Sequence, residues 1–164
     1  TANPHAVPSD RVIEKGDFVL MDYGAGYCDY RSDMTRTVVM GEPTQEQLDL
    51  YALVRRTHEE CVAAVHPGVE GNDIFKLSKK IIGDAGYGDY YNHGLGHGVG
   101  IDIHELPNFN RSKNIIEVGS VITMEPGVYL PGVGGVRLED YGVVTKDGYE
   151  PFTTSTHELV VIDC

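Results

Sequence analysis

The sequence predicts an α+β fold, on three observations. Short apolar runs of strand length open the chain and return near its end, two amphipathic helical stretches lie between them, and glycine or proline turns separate the pieces. The first strands follow one another through tight turns, so they pair antiparallel, and the helices are left to cover one face of the sheet.

Taken in order, Glu14–Asp17 (EKGD) reads as a turn and Phe18–Asp22 (FVLMD) as a buried strand that ends in a carboxylate. Gly24 and Gly26 permit a tight turn, after which Tyr27–Tyr30 and Thr35–Met40 continue an antiparallel meander carrying Asp22 and Asp33. Thr44 and Gln47 form a capping-box pattern. Leu48, Tyr51, Val54, His58, Cys61, Val62 and Val65 then recur near helical spacing, predicting a helix over 45–65 that Pro67 and Gly68 end. A second helix follows over 72–85, with Ile74, Phe75, Ile81 and Ile82 inward and Gly86 closing it. Past a polar loop at Asn108–Asn114, Val121, Thr123 and Glu125 share one face of a strand over 118–125, which Pro126 and Gly127 break. Gly134 and Gly135 open another strand in which Arg137 and Glu139 alternate with Val136 and Leu138, and the last strands fall at Tyr141–Thr145 and Glu158–Ile162.

Composition bounds the function classes. With 41% hydrophobic and 23% charged residues in 164, the chain can bury a core without staples, and no apolar run reaches the roughly 20 residues a membrane span needs. A formal charge of −12 argues against nucleic acid and anionic membrane as partners. Cys28, Cys61 and Cys164 are odd in number and lack CxxC spacing, which fits a reduced, cytoplasmic setting. The opening TANPHAVPSD reads as an interior loop, so residues 1–164 are expected to be one catalytic domain belonging to a longer chain.

The chemistry concentrates around Asn92–Glu105 (NHGLGHGVGIDIHE), where His93, His97 and His104 sit among four glycines, a density that lets backbone come close to a centre. On either side, Asp22, Asp33, Glu125 and Glu139 stand in strand contexts that would not choose a charge unless it is paired, coordinated or protonated. Four carboxylates and one neutral imidazole, His97, would offset the charge of two divalent ions. Oxygen and nitrogen donors without thiolate suit Mn, Co, Zn or Fe.

In this order, DYGAGYCDYRSDMTRT, HGLGHGVGIDIHE, ITMEPGVYL and GGVRLED resemble the motifs of the pita-bread metallopeptidases, within them the aminopeptidase P and prolidase (Xaa-Pro peptidase) branch. Asp22 and Asp33 are eleven residues apart and His5 lies seventeen before Asp22, as in that branch. The resemblance implies a curved antiparallel sheet in a bowl covered by helices, of which this chain would be the C-terminal catalytic part, with the N-terminal part of the fold missing.

Carried over to matching positions, the resemblance implies two divalent metal ions, with Mn favoured. Asp22 would bind one, Asp33 and Glu139 would bridge, and His97 and Glu125 would complete the second. A hydroxide bridging the metals would attack the Xaa-Pro bond of a dipeptide or peptide N-terminus, with Glu125 shuttling the proton and His5 and His104 steadying the reacting atoms. His93 would line the prolyl pocket and Arg137 would orient a carboxylate ligand. The implied partner is a peptide with proline at its second position, and the resemblance admits a homodimer.

Two alternatives differ in class or specificity: a pita-bread binding module without hydrolysis, and a methionine aminopeptidase-like activity. Intact ligands disfavour the first and EPGVYLPGVGGVRLED the second; the same intact ligands disfavour a creatinase-like hydrolase that needs no metal. His58 and His66 are expected at a helix surface or end, His157 has no evident partner, Arg36 fits structural pairing as well as substrate contact, and Tyr27, Tyr30 and Tyr129 are expected in the core or pocket wall.

Overall fold

A computed structural model describes residues 1–163. Strand β1 (Phe18–Tyr23) pairs antiparallel with β4 (Met34–Met40), and between them Gly26–Tyr27 (β2) and Tyr30–Arg31 (β3) make a hairpin. The expected single strand over 27–30 is therefore two strands and a two-residue turn, with Cys28 and Asp29 both at positive φ (47° and 67°). Tyr27 and Tyr30 lie on this exposed hairpin, not in the core or a pocket wall. β1 is buried only at its start and exposed from Met21 onward, so the run is an edge strand and not the buried one its composition suggests.

Helix α1 (Gln45–Ala63) starts at the expected capping box: Thr44 Oγ1 accepts from the Gln47 N–H, and the Gln47 side chain accepts from the Thr44 N–H. Its buried stripe is Gln47, Leu50, Tyr51, Leu53, Val54, Thr57, His58 and Cys61, while Leu48 is exposed. Helix α2 (Gly71–Asp84) buries Ile74, Ile81 and Ile82, packs Phe75 against the core, and is followed by Gly86 at φ 88°.

The remaining strands are β5 (Gly96–Gly98), β6 (Glu105–Phe109), β7 (Val121–Met124), β8 (Gly127–Leu130), β9 (Gly134–Arg137), β10 (Asp140–Thr145), β11 (Gly148–Pro151) and β12 (Val160–Ile162). They form a five-stranded antiparallel sheet ordered β11-β10-β7-β5-β6, a β8-β9 hairpin, and a three-stranded sheet ordered β1-β4-β12. One pairing departs from the antiparallel expectation: β12 runs parallel to β4, from Val160 opposite Val38 to Ile162 opposite Met40.

Two apolar clusters join helices to strands. Leu50, Tyr51, Val54 and Ile82 meet Phe18, Val39, Val128, Val136 and Leu138; Cys61, Val65 and Ile74 meet Leu95, Phe109, Ile122, Met124 and Val144. Burying each such side chain stabilises by about 1.5–3 kcal/mol. Because Val136 and Leu138 face this core, Arg137 and Glu139 project to the other side, where the polar residues gather. No helix among the described residues is long and apolar enough to cross a membrane.

Candidate metal centre

Strand register explains how residues far apart in sequence converge. Asp22 lies opposite Thr35 across β1 and β4, and Thr35 bridges to Glu139. Asp140 then pairs with Met124, which carries the line to Glu125, and β7 pairs with the strand holding His97, whose N–H donates to Thr123 Oγ1 at 3.0 Å. The nine residues singled out in the sequence, His5, Asp22, Asp33, His93, His97, His104, Glu125, Arg137 and Glu139, all line one cavity of about 450 Å³. Asp33, His97, Arg137 and Glu139 are buried; His5, Asp22 and His104 stand at its open side.

The glycines of the histidine stretch have a use other than making room for a ligand. A Cβ on Gly96 would lie 2.2 Å from Thr123 O, and one on Gly98 would lie 2.4 Å from Leu106 O. These positions admit the neighbouring strands and so hold His97 close to β7.

The tautomer of His97 follows from its contacts. Nδ1 faces the Gly98 carbonyl at 3.0 Å, and a carbonyl only accepts, so Nδ1 carries the proton. Nε2 is left with a lone pair that faces Asp33 Oδ2 at 3.6 Å and Glu125 Oε1 at 3.4 Å. Asp33, His97 and Glu139 each present a ligand atom within 4.8 Å of the others. Three acceptors turned toward one point suit a cation.

Electrostatics agree. Burial, with Asp22 beside it, raises the Asp33 carboxyl to about 6. Burial raises Glu125 to about 7, against the lowering influence of Arg137 and with help from Asp33 and Asp22. Glu139 is pushed well above its usual range by burial and then by Glu125 and Asp33. Burial also lowers the His97 imidazole, keeping it neutral and able to ligate. Buried carboxylates that raise one another in this way lack positive charge, which bound metal would supply.

Arg137 supports the acids from behind. Its Nη2 pairs with Asp22, its Nε donates to Thr35 Oγ1 at 3.0 Å, and Thr35 donates onward to Glu139 Oε2 at 2.6 Å. Its Nη1 donates to Tyr129 Oη at 3.1 Å, and Tyr129 in turn donates to His93 Nε2 at 2.9 Å, since His93 Nδ1–H is committed to Gly94 O at 2.6 Å. Thr35 was not anticipated from the sequence, and Tyr129 proves to be a hydrogen-bonded link and not only a wall. The sole sequence signal for Thr35 was its place two residues after Asp33, on the same face of a strand, which is too weak to assign a role.

Three histidines outside the cavity sort differently. His66 is exposed, as expected. His58, expected at the surface, is 3% exposed because α1 turns it toward β10, and His157, expected without a partner, has its Nε2 2.6 Å from Asp140 Oδ2. Arg36 is structural: it is buried against Asp140 and four backbone carbonyls.

Comparison with known proteins places these features. Residues 1–146 match Metallopeptidase family M24. A Xaa-Pro dipeptidase of Pyrococcus horikoshii is 42% identical over 161 residues, which is 98% of this chain and 46% of that protein. Among solved structures, the prolidase of Pyrococcus horikoshii superposes with a TM-score of 0.94 at 42% identity, covering 97% of this chain and 46% of that one. An X-Pro aminopeptidase of Thermotoga maritima gives 0.95 at 36% identity, with 98% and 46% covered. The chain thus spans about half the length of the curated relatives it matches. Its α+β architecture is that of the pita-bread prolidases and aminopeptidases, and with its sequence matched over most of its length the chain belongs to Metallopeptidase family M24.

Proposed function

We propose that this chain, as one domain of a longer protein, supplies the metal-binding part of a Xaa-Pro exopeptidase with a dinuclear centre. The observation that carries the reading is the convergence of Asp33, His97, Glu125 and Glu139 on one buried point, with Asp22 at its rim. Asp22, Asp33, His97, Glu125 and Glu139 would hold two divalent ions, with manganese the favoured metal for an oxygen-rich set. When bound, such a pair polarises a carbonyl and acidifies water.

The chain's own residues supply the rest. Glu125, whose Oε1 stands 3.4 Å from His97 Nε2 on the cavity wall, serves as the acid–base group for the leaving amine. His104 and His5 stand at the open side, where a peptide enters, and are assigned to the scissile carbonyl and leaving nitrogen. His93 has both ring nitrogens engaged by Gly94 and Tyr129, so it offers substrate an apolar ring surface, which suits a prolyl ring. Arg137 positions Asp22 directly and Glu139 through Thr35.

The relatives include a dipeptidase and an aminopeptidase by name, so both substrate lengths are tested. Xaa-Pro dipeptides and Xaa-Pro-Yaa peptides incubated with the Mn²⁺-loaded protein should be cut at the Xaa-Pro bond. Cleavage of Met-initiated peptides without Xaa-Pro cleavage would overturn the specificity, and metal uptake without any hydrolysis would favour a binding module.

A further inference from the structure

The polar residue on the far side of Glu139 belongs to a second cluster. Asp140 opens β10 and points away from the cavity toward α1, where it meets His58; His157 reaches it from the segment leading to β12. His58, His157 and Asp140 each offer one ligand atom, and these lie within 4.8 Å of one another. Asp140 Oδ2 is 3.4 Å from His58 Nε2 and 2.6 Å from His157 Nε2, while Oδ1 is held at 2.6 Å by Arg36 Nη2.

One atom in this cluster lacks a purpose in the fold. His58 is 3% exposed, yet its Nε2 has no hydrogen-bond partner, the sole such buried side-chain atom among the described residues. The nearby Asp140 oxygen, 3.4 Å away, makes no hydrogen bond with it, and leaving a buried polar atom unpaired costs about 1–3 kcal/mol. A group aimed at a carboxylate without bonding to it is placed as a co-ligand.

We propose that His58, Asp140 and His157 form a mononuclear site for a zinc-class divalent ion, separate from the dinuclear centre on the opposite side of the chain at Glu139. Two imidazoles and one carboxylate oxygen make the three-ligand set such ions accept, with water in the fourth position. Arg36 on the other Asp140 oxygen orients the ligand, and its bonds to Ser155 O and Thr156 O bring the His157 segment to the same place. Binding at ~2 Å spreads ligand atoms to ~3.3 Å. The His58 pair already has that spacing, and His157, 30% exposed, has room to swing outward and leaves an entry path. The ion would pin the β11–β12 connection to α1.

The test is a Zn²⁺ titration of the metal-free full chain, followed by imidazole ¹⁵N resonances and by bound zinc after dialysis. His58 and His157 should shift together and saturate with one ion, and His157→Gln, a change at a partly exposed residue, should bind one zinc fewer per chain. Unmoved His58 and His157 resonances in excess zinc, or unchanged stoichiometry in folded His157→Gln, would overturn the site, whatever ions the dinuclear centre takes up.

Discussion

Thr35→Val removes one hydroxyl and little volume, and it tests how the carboxylate ligands are held. Arg137 Nε can only donate, so the Thr35 oxygen accepts from it at 3.0 Å and directs its own proton to Glu139 Oε2 at 2.6 Å. Valine breaks both contacts at once. A hydrogen bond to a charged partner contributes about 1.5–3 kcal/mol, so two bonds set a ceiling of about 3–6 kcal/mol. Arg137 retains Tyr129, Pro4 O and Asp22, and Glu139 can relieve its loss by taking up a proton, so the expected destabilisation is about 2 kcal/mol. Urea unfolding of metal-free wild type and variant measures it. Metal affinity should also fall about 10–100-fold, the usual effect of removing a group that orients a ligand. A stability change below about 0.5 kcal/mol together with unchanged metal affinity would refute the relay from Arg137 through Thr35 to Glu139.

Further expectations follow from the same contacts. Asp33 and Glu125 have folded-state values of about 6 and 7, above those of free carboxyls, so their contribution to folding is full below about pH 4 and is lost as pH rises through 6–7. A cation reverses this by displacing the protons, so calorimetric metal titrations near pH 6.5 in buffers of different ionisation enthalpy should detect proton release; no release would contradict the raised values. Glu125→Gln should keep most metal but lower turnover by about 10²–10⁴, and near-normal kcat would contradict its proton role. Arg36→Met leaves Asp140 without its guanidinium partner in the interior and should destabilise by about 3–5 kcal/mol in urea unfolding; an unchanged midpoint would show that the pair is dispensable. Cys28→Asn should raise the unfolding free energy by about 0.5–1 kcal/mol, because asparagine tolerates the positive φ of the β2–β3 turn better than cysteine does; a loss of stability would point to an unseen role for the thiol.

What the sequence disclosed follows from the range of each signal. Helix α1 was legible because Thr44, Gln47 and the apolar stripe act within a few residues, although the stripe admitted Leu48 where Leu50 is the buried one. Strands β6 and β11 were not foreseen: ELPNF and GYEP carry a proline and show little alternation, and their pairing comes from neighbours elsewhere in the chain. The parallel β4–β12 contact joins residues 38–40 to 160–162, and no local pattern encodes such a pairing. At the candidate centre, the carboxylates and His97 stood out because charge in a strand demands a reason. Thr35 and the burial of His58 did not, since a threonine is ordinary in a strand and the partner that draws His58 inward lies on β10.

In the proposed centre, five side chains from separate strands and loops hold two ions. Anomalous scattering from crystals of the protein grown with Mn²⁺ tests it most directly. Two peaks are expected in the cavity lined by Asp22, Asp33, His97, Glu125 and Glu139, both lost in Asp33→Ala. A single peak, or two that persist in that variant, would contradict it.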